Sequence, residues 1–87
     1  MKVSVWDTYV QRNDSRVMHF DILVPSEVTV EDRIFSYGND YLQSKAIEGK
    51  QVTTKECKFC HIEQASEEVI AGITAKGYFI IEIENCN

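Results

Sequence analysis

At 87 residues with 44% hydrophobic content, the chain has material for one small domain, residues 1–87, with a core of its own. Four glycines and one proline leave nothing that reads as a linker or a disordered tail. Fourteen Asp and Glu against nine Lys and Arg give a formal charge of -5, which disfavours phosphate backbones and anionic lipid.

Nucleic acid and membrane are therefore not expected partners. The one basic patch, Lys45, Lys50, Lys55 and Lys58, is diluted by Glu48 and Glu56 and has no aromatic ladder for stacking on bases. The N-terminal run reaches Asp7 before any apolar stretch long enough for a signal peptide, so a cytoplasmic protein is expected. In that compartment the three cysteines are free thiols or metal ligands in preference to a disulfide framework.

Residues 3–10 and 17–24 are rich in β-formers, and in the second run Met18, Phe20, Ile22 and Val24 alternate with His19, Asp21 and Leu23. Between them Asn13, Asp14 and Ser15 tolerate turn dihedrals and bond their own backbone, which predicts a hairpin. Pro25 ends the second strand because it has no N–H for the ladder. Thr29 stands at an N-cap position, with Glu31 and Asp32 at the positive end of the helix dipole.

The spacing of Ile34, Phe35, Tyr37, Tyr41 and Leu42 predicts a helix over 30–45. Gly38 within it costs about 1 kcal/mol relative to Ala and marks a close approach to the sheet. Residues 55–63 read as a third strand. Ser66 as N-cap, Glu67 and Glu68 in the first turn and the Lys76-Gly77 stop define a second helix. Residues 78–84 close the chain as a strand, with Phe79, Ile81 and Ile83 on the core face and Tyr78, Ile80, Glu82 and Glu84 on the other.

The order strand, strand, helix, strand, helix, strand predicts an α+β fold of two layers: a four-stranded mixed sheet with both helices on one face. The far face is expected to gather Trp6, His19, Leu23 and Ile80, a partly apolar surface suited to a protein partner or a homodimer.

Cys57-Lys58-Phe59-Cys60-His61 is the most informative motif, because thiols and imidazoles bind soft metals and attach haem. In an extended strand Cys57 and Cys60 would lie about 10 Å apart on opposite faces. In a tight turn both sulfurs and His61 could reach one zinc, with His19 or Cys86 as fourth ligand. Haem attachment is disfavoured because the only methionines, Met1 and Met18, precede the motif. A thioredoxin-like dithiol should follow a buried strand and open a helix, and residues 51–56 are no such strand. Cysteines that simply pack in a strand, beside a hydrogen-bonded His61, complete the set of readings.

His19 and Asp21 share a strand face, a spacing that suits an acid–base pair under a pocket, but no nucleophile elbow, phosphate loop or His-Glu-x-x-His helix accompanies them. No catalytic residue is nominated.

The strings at 5–10, 18–25, 53–63 and 77–82, among them Trp6-Asp7-Thr8, His19-Phe20-Asp21 and Cys57 to Glu63, resemble a small bacterial domain-of-unknown-function family, number twenty twenty-four. The resemblance spans essentially the whole chain and implies a compact α/β fold with no assigned activity, cofactor or substrate. The expectation is a binding or interaction module whose sheet face presents Trp6, Asp7, His19 and Asp21, without a cofactor. The alternative is a zinc protein using Cys57, Cys60 and His61.

Overall fold

A computed structural model describes residues 1–87. The elements follow the expected order: β1 (Lys2–Gln11), β2 (Val17–Pro25), α1 (Glu31–Ser44), β3 (Cys57–Gln64), α2 (Glu67–Lys76) and β4 (Phe79–Glu84). The four strands form one sheet in the order β3-β1-β2-β4. All three pairings are antiparallel, where a mixed sheet was expected. β1 and β2 are joined by the predicted turn, in which Arg12 N–H donates to the Arg16 carbonyl at 2.8 Å and Ser15 takes a positive φ of 74°.

The helices do not share a face. Trp6, Val10, Met18, Phe20, Ile22 and Val24 form one core with Ile34, Tyr41 and Leu42 of α1. Val3, Val5 and Leu23, whose side chains alternate with those, form a second core with Val69 and Ile73 of α2. The physical reason lies in the central strands, which are apolar on both sides: Ile22, Leu23 and Val24 are consecutive and all fully buried. Such strands need cover above and below. The expected grouping of Trp6, His19, Leu23 and Ile80 therefore divides, with Trp6 and Ile80 on the α1 side and His19 and Leu23 on the α2 side. β4, expected to have one core face, is an edge strand: Ile80 packs toward α1, Phe79 toward α2, and Ile81 and Ile83 are exposed.

The first helix begins differently from expectation. Val30 is its N-cap, with no side-chain cap bond, so Thr29 does not cap it. Glu31 and Asp32 still occupy the first turn. The second helix has both expected ends: Ser66 Oγ accepts from Val69 N–H at 3.3 Å, and Gly77 stops it with φ 91° in the left-handed region. Gly38 is where α1 meets its surroundings most closely. A Cβ there would stand 2.9 Å from Val52 Cγ2 and 3.0 Å from Ile22 Cδ1. Val52 belongs to the connection between α1 and β3 and is held to the helix by its N–H donating to Asn39 Oδ1 at 2.8 Å.

The size of α2 decides where the sheet stays open. Ten residues of helix span about 15 Å, whereas the ten residues of β1 run about 33 Å. α2 covers the end of the sheet that holds Val3, Val5 and Leu23 and leaves the other end of that face to Asp7, Tyr9, His19 and Asp21.

Candidate functional site

The open end of the α2 face is built on the β1–β2 hairpin. The register places Asp7 directly opposite Asp21 and Tyr9 directly opposite His19. Two carboxylates facing each other across an antiparallel pair destabilise a sheet unless something neutralises them. Lys58 stands opposite Asp7 on β3, yet its ammonium donates to the Thr54 carbonyl at 3.0 Å instead.

The nearest basic group is His19, whose Nε2 lies 3.8 Å from Asp7 Oδ1 and 3.8 Å from Asp21 Oδ1. Those distances are too long for hydrogen bonds. Both His19 Nε2 and Asp21 Oδ1 are shielded from solvent and have no hydrogen-bond partner in the protein. The imidazole is held in place by the Tyr9 ring, stacked on it at 4.1 Å between centroids with planes 13° apart. Asp21 responds to its setting: loss of surrounding water, then the hydrogen bond and charge of Asp7, push its carboxyl up to about 7. One ligand atom from each of Asp7, His19 and Asp21 lies within 4.8 Å of the other two, an arrangement able to hold a metal ion.

β3 completes the surroundings through an irregularity. Trp6 pairs with Phe59 and Val5 with His61, so Cys60 is an extra residue, a β-bulge. His61 and Glu63 then fall on the α2 face, where their charges act on Asp21. Cys60 comes beside Asp7. Its thiol is held above the ordinary range by partial loss of water first, then by the Asp7 charge and hydrogen bond and by the Asp21 charge. Its Sγ is 3.2 Å from His61 Nδ1, and His61 Nε2 is 2.7 Å from Glu63 Oε1. Thiol, imidazole and carboxylate in a line is the arrangement that activates cysteine nucleophiles. Here the neighbouring aspartates oppose thiolate formation.

The residues expected from the sequence thus divide. Asp7, His19 and Asp21 come together, and Cys60 and His61 stand at their rim. Trp6 does not belong with them: consecutive strand residues alternate faces, and Trp6 is buried on the α1 side, with Phe59 edge-on at 5.7 Å. Cys57 is likewise in the α1-side core, where burial raises its thiol and a hydrogen bond with Thr8 partly offsets that. Cys57, Cys60 and His61 do not converge on one point, so the turn geometry considered for a zinc site is absent. Cys86 is no fourth ligand either, because its buried thiol donates to the His19 carbonyl at 3.3 Å from the α1-side core. Tyr9 and Glu63, which orient the two histidines, were not anticipated. Tyr9 could have been found from the hairpin, since it and His19 are equally far from the turn.

Similar proteins are consistent with this fold and carry no functional name. No curated protein matches the chain. The NMR structure of protein NE1680 from Nitrosomonas europaea, a structural-genomics target, is 42% identical over all of both chains and superposes with a TM-score of 0.86. A family model described as a domain of unknown function matches residues 1–83. With that match over nearly its whole length, the chain belongs to the domain-of-unknown-function family DUF2024.

Proposed function

We propose that this domain is a metal-binding module whose centre is formed by Asp7, His19 and Asp21 on the open end of the sheet. The observation that carries the reading is the pair of shielded atoms without protein partners, His19 Nε2 and Asp21 Oδ1, which stand 3.8 Å apart. Leaving polar atoms unpaired away from water costs about 1–3 kcal/mol each, and a cation between them would remove that cost. Two ligands on a tetrahedral zinc at about 2.1 Å stand roughly 3.4 Å apart, so each aspartate, 3.8 Å from His19 Nε2, needs to close on it by only a few tenths of an ångström. Two carboxylates balance a divalent charge and would cease to repel each other. An imidazole among the donors favours a transition metal over calcium or magnesium, which take oxygen ligands.

Zinc titration of chelator-treated protein, followed by calorimetry, tests the reading. One ion per chain is expected, with affinity reduced by at least on the order of tenfold in His19→Ala and in Asp21→Asn. Wild-type protein that binds no more zinc than the doubly substituted protein would remove it.

A further inference from the structure

The sheet has two edges, and they differ. β4 carries Glu82 and Glu84 and no base, whereas β3 carries both signs of charge and two exposed apolar side chains, Phe59 at 52% and Ile62 at 53%. Every β3 residue after Cys57 is exposed, and the strand pairs with β1 alone, so its outer edge is open. The Lys58 ammonium rests on the Thr54 carbonyl at 3.0 Å instead of on a carboxylate.

The bulge decides which of these side chains share a face. Lys58 and Glu63 lie an odd number of residues apart, as do Phe59 and Ile62, and a regular strand would split each pair between its two faces. With Cys60 as the extra residue, Lys58 opposes Asp7 and Glu63 opposes Val3, both on the α2 face. Phe59 opposes Trp6 and Ile62 opposes Ser4, both on the α1 face. Residues directly opposite each other in an antiparallel pair share a face. Reversed about a point between Cys60 and His61, β3 therefore complements itself: base meets acid on one face, and aromatic meets aliphatic on the other.

We propose that two copies of this chain pair through β3, antiparallel about a two-fold axis between Cys60 and His61, so that their sheets join into one. Lys58 then faces the partner's Glu63 and Phe59 faces the partner's Ile62, and the axis repeats both contacts. The ladder of main-chain hydrogen bonds supplies the attraction, and the order of side chains sets the register. A strand of one charge sign meets like charge at one end of β3, so the charges that reject other strands are those a second copy satisfies. The contact uses none of Asp7, His19 and Asp21 and needs no metal.

Sedimentation equilibrium tests the pairing. Metal-free wild-type protein should show a monomer–dimer equilibrium with a dissociation constant on the order of micromolar, in keeping with a small interface. Lys58→Glu and Glu63→Lys each set like charges opposite one another on both sides of the axis and should weaken the dimer by at least about tenfold. The doubly swapped chain should recover to within about threefold of wild type. Both side chains are exposed, so the variants should keep the circular dichroism of the folded protein. A wild type that stays monomeric at millimolar concentration, or a dimer indifferent to both single swaps, would overturn β3 as the interface. Weakening by both single swaps with no recovery in the double would overturn the facing of Lys58 and Glu63.

Discussion

Asp21 is the residue on which the most physical chemistry converges. Its carboxyl titrates near 3.8 when free in the unfolded chain and is pushed up to about 7 in the fold, first by desolvation and then by Asp7. Between those values the folded protein keeps a proton that the unfolded chain has released. Its contribution to stability is therefore fully present below about pH 4 and is lost as pH rises through about 7. Asp21→Asn has no such titration. Urea unfolding of metal-free protein at about pH 4, 6 and 8 should show the variant gaining on wild type as pH rises and then levelling off. A constant difference across that range would mean that Asp21 titrates like a surface carboxylate. Bound zinc should reverse the order at the upper end, since it requires the charge that the fold alone resists.

At the scale of elements, the closest contact of α1 sets a second expectation. Gly38→Ala adds helix propensity of about 1 kcal/mol, but its Cβ meets both Val52 and Ile22 at or under 3.0 Å. Overpacking of that kind costs typically 1–3 kcal/mol, so the variant should unfold at lower urea than wild type; a higher midpoint would mean that the 45–56 connection simply moves away.

Gly38 was legible in the sequence because its spacing within an apolar stripe already implied a close approach. So were the ends of α2, for Ser66 and Gly77 act on their own helix alone, and so was the shared face of His19 and Asp21, which follows from a period of two. What was not legible depended on partners distant in sequence. Trp6 and Asp7 are neighbours in the chain, and only the cover supplied by α1 and α2 decides which goes inside. The side taken by α2 was foreshadowed by the unbroken Ile22, Leu23, Val24 run, although a run alone does not say which helix covers which face. The bulge at Cys60 has no local signature, since it arises from how β3 docks against β1. Without it the cysteine motif offers only two choices, turn or strand, and the structure takes neither in its simple form.

Across the whole molecule, the two cores are unequal. Twelve buried residues lie on the α1 side and five on the α2 side. Local opening is easiest where the fewest apolar contacts must be broken. Amide hydrogen exchange should therefore be faster throughout α2 than in the middle of α1, with the central strands β1 and β2 slowest. Equal protection of the two helices would show that the cores open together. The edges of the sheet are handled by geometry and charge: both outer pairings carry a register shift, and Lys58, Glu63, Glu82 and Glu84 lie along the outer strands. Irregular, charged edges resist the indiscriminate addition of further strands.

Asp7, His19 and Asp21 all stand on one hairpin, closed by the short turn between Gln11 and Val17. The entropy needed to bring them together is that of a small loop, which grows only slowly with length and is paid once when the turn forms. A cation could thus gather the same three side chains in an otherwise unfolded chain, weakly but measurably. The rise in melting temperature on adding metal would then fall short of what the affinity of the folded protein implies, because the denatured ensemble competes for the same ion.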